Sequence, residues 1–129
     1  MNSVASAAQL PTQQKITQSI NHAEKFVEQY YRSWSKSVGK FYQDTTKVIW
    51  NGQGFSGAQF KQDILPQLQT QLTNFDVRGY DVHQLGDESM IINVVGLVKL
   101  NKPVQFTQNF VVVRAGGLSY IQGDCFRLV

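Results

Sequence analysis

The 129-residue chain carries a single cysteine, Cys125, so no disulfide can close within it, and a reducing, intracellular setting is expected. Histidine is almost as scarce. His22 and His83 stand far apart, no Cys or His pair has ligand spacing, and neither a metal nor any other cofactor is expected. No apolar run approaches the ~20 residues of a membrane helix. The opening MNSVASAAQL has no basic start and no adequate apolar stretch, so neither a membrane contact nor a signal peptide is expected. The 12 Lys and Arg never cluster in a run of four, which speaks against direct nucleic-acid binding despite a net charge of +3. The glycines of Asn51–Gly57 lack the lysine of a phosphate-cradling loop and read as turn chemistry. Charge of either sign is low, at 16%, against about 25% in an average domain. Amides stand in for it, with 16 Gln. A surface so short of charge suits a chain with one face covered by a partner.

What is present is enough for one hydrophobic core: 42% apolar and 12% aromatic residues in a length that fits one domain. The predicted organisation is a flexible N-terminus over residues 1–11 and a single domain over 12–129. Ile16, Ile20, Ala23, Phe26, Val27, Tyr30, Tyr31 and Trp34 recur at steps of three and four, which predicts an amphipathic helix. Val38, Phe41 and Tyr42 suggest a short second helix, and Lys47–Trp50 a strand that ends at the Asn51-Gly52 turn. Ser56 with Gln59 forms a capping box ahead of Phe60, Ile64, Leu68 and Leu72, so a third helix begins there. Pro66 within it predicts a kink or an early end near Leu65. The period then changes, and strands are predicted at Phe75–Leu85, Ser89–Leu100, Lys102–Arg114 and Leu118–Leu128. Gly96 marks a bulge in the second of these. Helices first and strands after predict an α+β fold, with the strands paired antiparallel in succession.

Alternation assigns the two faces of the sheet. Phe106, Phe110 and Val112 share one face with Phe126 and Leu128, and that face should pack on the helices. Thr107, Asn109, Val111, Val113, Cys125 and Arg127 lie on the other. This second face is more apolar than solvent requires, which points to a second burial event upon it.

Acid–base chemistry could draw on Asp44, Asp81, His83 or Asp124 beside Tyr30, Tyr31 or Tyr42. Asp81 and His83 alternate onto one strand face, away from the apolar walls that a buried base needs. Cys125 within a strand reads as a small packed thiol rather than a nucleophile. The chain is therefore read as not an enzyme.

The order of Phe26–Tyr31 (FVEQYY), Val48–Gly52 (VIWNG), Ser56-Gly57, Tyr80-Asp81, Val94–Gly96, Phe106–Phe110 (FTQNF) and Gly123–Leu128 (GDCFRL) resembles the nuclear transport factor 2-like superfamily. Within it, WNG, QNF and DCFR are similar to the related export proteins, the small subunits of heterodimeric messenger RNA export receptors. The resemblance covers residues 12 to 129. It implies a cone-shaped fold, with about three N-terminal helices packed on a strongly bent antiparallel sheet. It also implies pairing through the outer sheet face with a similarly folded domain of a large subunit. The pair would shuttle between nucleus and cytoplasm, contact phenylalanine-glycine repeats of nucleoporins at the nuclear pore, and leave RNA binding to the large subunit. Carried over by position, the partner interface would be Asp81, Asn93, Thr107, Asn109, Cys125 and Arg127, with Asp81 paired to an arginine of the large subunit. The alternative within the superfamily is a homodimeric import factor for the GTPase Ran, which presents acidic groups where this chain has Asn51 and the Leu100–Lys102 loop. Ran binding is therefore not expected. A small-molecule isomerase or dehydratase on the same cone is a third reading.

Overall fold

The computed structural model describes residues 2–129, with side chains from Thr12 onward. The expected flexible segment, residues 1–11, thus lies outside the fully described residues. In chain order the elements are α1 (Asn2–Arg32), a 3-10 turn (Val38–Phe41), β1 (Tyr42–Trp50), β2 (Gln53–Ser56), α2 (Gly57–Gln59), a π turn (Phe60–Ile64) and α3 (Leu65–Gln71). Four strands follow: β3 (Thr73–Gln84), β4 (Ser89–Lys99), β5 (Pro103–Ala115) and β6 (Leu118–Leu128).

The six strands form one curled sheet in the order β2-β1-β6-β5-β4-β3. Successive antiparallel pairing holds from β3 to β6. β1 departs from it by pairing parallel to β6, which makes the sheet mixed rather than wholly antiparallel. β2, a four-residue strand folded back on β1 by the Asn51-Gly52 turn, was not expected from the sequence. The predicted second helix is a single 3-10 turn, so two helical runs, not three, cover the sheet. In the second run the Ser56 hydroxyl accepts from the Gln59 amide at 3.1 Å, as the capping box requires. Pro66 does not end this run. The backbone widens into the π turn just ahead of it, and the helix then continues to Gln71.

Curvature comes from extra residues. β3 carries one between Thr73 and Asp76 and another between Val77 and Gly79, and β6 carries one between Ile121 and Gly123. The bulge expected at Gly96 lies on the strand opposite, since Gly96 faces Val77 at the point where β3 gains its residue. β1 leaves register with β6 between Tyr42 and Lys47, and the buried Thr46 hydroxyl fills that gap by accepting from the Gln43 amide and donating to the Ile121 carbonyl.

The concave face is aromatic. Phe26 and Tyr30 of α1 meet Phe110 at ring distances of 5.1 and 4.8 Å. Trp50 stacks on Phe126 at 4.0 Å and 8°. Each such side chain contributes roughly 1.5–3 kcal/mol by leaving water. The Trp34 indole N–H donates to the Leu72 carbonyl at 3.0 Å and ties the end of α1 to the end of α3. The apolar stripe of α1 is buried only from Ala23 onward. Ile16 and Ile20, counted in the same stripe, stay 40% and 47% exposed.

Candidate partner interface

Register places the predicted interface residues on adjoining strands. Asp81 faces Asn93, Asn93 faces Asn109, and Asn109 faces Cys125, so these four form one row across β3, β4, β5 and β6. Three inter-strand steps make that row about 14 Å long. Ile49 extends it onto β1. The neighbouring row holds Val95, Thr107 and Arg127. All six predicted residues therefore share the convex face, and Asp81, Asn93, Asn109, Cys125 and Arg127 are exposed. Asp76, earlier on β3, pairs with Arg78, whereas Asp81 belongs to none of the four ion pairs among the described residues.

Apolar groups flank the polar row. Ile49 is 47% and Val95 49% exposed. On the other flank, a groove of about 590 Å³ is lined by Val111, Val113, Tyr120 and Gly123 with Gln43 and Lys47 of β1. The sequence reading identified Val111 and Val113. It missed Ile49, Val95 and the β1 wall. Ile49 was legible as the residue of β1 that alternates against the buried Val48 and Trp50.

The candidate acid–base residues separate. Asp44 is exposed on β1, while Asp81 and His83, two residues apart, are exposed on one face of β3. Asp124 is buried in the cone with Tyr30, Tyr42 and Gln108. The Tyr42 hydroxyl donates to Asp124 Oδ2, and Gln108 Nε2 donates to Asp124 Oδ1 at 2.9 Å. Gln108 Nε2 also donates to the Tyr30 oxygen at 3.2 Å, and the Tyr30 and Tyr42 hydroxyls are 2.7 Å apart. The Tyr31 hydroxyl donates to Gln108 Oε1 at 2.7 Å. Burial pushes the Asp124 carboxyl up to about 7, against the two donors that favour its anion. Burial, and then the nearby Asp124 charge, hold the Tyr30 and Tyr42 hydroxyls well above the usual tyrosine range. Both carboxyl oxygens are engaged and aromatic rings surround the group, so its role is to satisfy a polar knot inside the core. Gln108 was missed, although it alternates with Phe106 and Phe110 on the core face. Trp50 is likewise a core residue, 5% exposed.

Comparison with known proteins agrees with this architecture. Residues 22–128 match the family model described as the nuclear transport factor 2 (NTF2) domain. The chain is 32% identical to nuclear transport factor 2 of Oryza sativa subsp. japonica over 113 residues, covering 82% of this chain and 93% of that protein. It is 28% identical to NTF2-related export protein 1 of Bos taurus over 127 residues, covering 87% and 89%. Among solved structures, nuclear transport factor 2 from Cryptosporidium parvum superposes with a TM-score of 0.72 at 24% identity, over 87% of this chain and 95% of that one. The named relatives are transport factors, not enzymes.

Proposed function

The chain belongs to the nuclear transport factor 2 domain family, and from that premise we propose that it is the non-enzymatic small subunit of a heterodimeric messenger RNA export receptor. The observation that carries this reading is the row Asp81–Asn93–Asn109–Cys125 on the convex face, with Ile49 and Val95 exposed beside it. A polar row flanked by apolar groups suits a specific protein partner: the apolar groups supply burial and the polar ones fix register. Asp81, Asn93, Thr107, Asn109, Cys125 and Arg127 form the proposed contact, with Asp81 meeting an arginine of the large subunit. The heterodimer carries the phenylalanine-glycine repeat contacts at the nuclear pore and shuttles between nucleus and cytoplasm, and RNA is held by the large subunit.

Similarity to nuclear transport factor 2 of rice favours one second reading, for which the family resemblance implies a homodimeric import factor that binds Ran. Two residues weigh against it. Asn51 stands in the left-handed region at φ 48°, where asparagine is favoured, and its Oδ1 accepts from the Leu128 amide at 2.8 Å. It is a turn residue and offers no negative charge. Lys102 is exposed and basic. Calorimetry with Ran in its GDP form is expected to show no binding, and micromolar affinity would restore the import reading.

Co-expression with the matching domain of the large subunit tests the assembly. One species on size-exclusion chromatography is expected, with more than about 1,000 Å² buried in total. Separate elution at micromolar concentration would count against the export role.

A further inference from the structure

On the helical side of the molecule, α1, the Val38–Phe41 turn and the β5–β6 hairpin enclose a groove of about 520 Å³. That volume falls within the range of small-ligand sites. Its lining collects four basic side chains, His22, Lys25, Lys40 and Arg114, and no carboxylate. None of Lys25, Lys40 and Arg114 belongs to an ion pair among the described residues. The floor is aromatic: Phe26 and Phe41 are buried.

Arg114 is held in place. Its Nη1 donates to the Ser119 hydroxyl at 3.1 Å and its Nη2 to the Gly117 carbonyl at 3.3 Å. A guanidinium has five N–H donors, so others remain for a ligand. Lys40 lies 5.2 Å from the centre of the Phe41 ring, which holds its ammonium at the groove. His22 feels the crowding. Burial, then Arg114 of β5 and Lys25 of α1, lower its pKa, and only Glu88, just ahead of β4, opposes them. Gathering unpaired cations in one place costs free energy that a bound anion would return.

We propose that this groove binds a phosphomonoester carried on a flat apolar group. A phosphate is dianionic near neutral pH and offers three acceptor oxygens, enough for Arg114 and both lysines. The attached ring lies against Phe26 and Phe41. The site does not depend on the sheet-face partner, so it stands or falls separately from the export reading.

The test titrates the full chain, labelled with ¹⁵N, with phenyl phosphate, inorganic phosphate and benzyl alcohol at pH 7.5. Phenyl phosphate should shift the Gly117 and Ser119 amides, bind at least tenfold tighter than either control, and raise the pKa of the His22 ring. The double variant Lys25→Gln/Lys40→Gln changes two exposed side chains, should keep the fold, and should weaken binding at least tenfold. Adenosine monophosphate and O-phosphotyrosine separate two sources of this chemistry, and tighter binding of either than of phenyl phosphate supports the site. Absence of shifts at the hairpin, equal affinity for inorganic phosphate, or undiminished binding by the double variant would overturn it.

Discussion

Asp124 sets the terms at the scale of single residues. Burial penalises the anion and pushes its carboxyl up to about 7 in the folded chain, well above the ordinary carboxylate range. The folded state therefore holds this proton more tightly than the unfolded chain does. The resulting stabilisation is complete below the unfolded value and is lost as pH rises through about 7. A difference of that size amounts to roughly 4 kcal/mol in all, of which about 2–3 kcal/mol disappears between pH 5 and 8. Asp124→Asn keeps the shape and removes the titration. Urea unfolding of both proteins at pH 5 and 8 should give a steeper loss for the wild type by that amount. Equal losses would show that Tyr42 and Gln108 hold the anion at no net cost. Alternation made part of this knot legible, since Asp124 shares its face with Phe126. The closure of the knot was not legible, because Tyr42 reaches Asp124 across 82 residues of chain and Tyr30 reaches Gln108 across 78, and no local pattern encodes such contacts.

Among the elements, β3 and β4 show how one residue type shapes the sheet. A Cβ at Gly96 would overlap the Asp76 carbonyl oxygen and crowd the Phe106 ring. The overlap is with backbone at the point where β3 bulges, so no rotamer change relieves it. Gly96→Ala should cost roughly 2–4 kcal/mol, whereas Gly54→Ala, with open space around its position, should stay within about 0.5 kcal/mol. Chemical denaturation of the two variants checks this, and equal effects would remove the close approach as the reason for glycine. The last four strands were legible to within about two residues, because short turns at Asn101–Pro103 and Gly116-Gly117 join long alternating runs. β2 was not: its four residues, Gln53–Ser56, include one large apolar side chain and a glycine. The parallel pairing of β1 with β6 was hidden for a different reason. It joins segments some 75 residues apart, and no turn records it. Pro66 was read correctly as a disturbance, but the helix absorbs it by widening one turn rather than stopping.

For the whole molecule, the decisive property is that one sheet face is closed by the helices and the other is left open. The six proposed interface residues were singled out by family resemblance, with alternation placing four of them on the outer face, since Asp81, Asn93 and Asn109 look like ordinary solvent-facing strand residues when taken singly. Their alignment into one row gives the resemblance a physical form. Asp81 is the sharpest test of the proposed heterodimer. A carboxylate gains nothing from strand propensity, and among the described residues this one forms no ion pair. An arginine of the large subunit would supply two parallel charge-assisted hydrogen bonds of defined geometry. Breaking such a desolvated pair from one side costs about 3–5 kcal/mol, and like charges in its place cost more. Asp81→Arg should therefore weaken the heterodimer more than about 100-fold. The converse Arg→Asp change in the large subunit should restore part of the affinity, because it rebuilds the pair with its polarity reversed. Circular dichroism of the isolated variant should match the wild type, since Asp81 is exposed and its strand neighbours Tyr80 and Val82 face the core. Calorimetry of the four combinations completes the cycle. Affinity retained within threefold by Asp81→Arg would mean that this carboxylate is simply solvated, and that the partner seats on the Val111–Tyr120 side of the face instead.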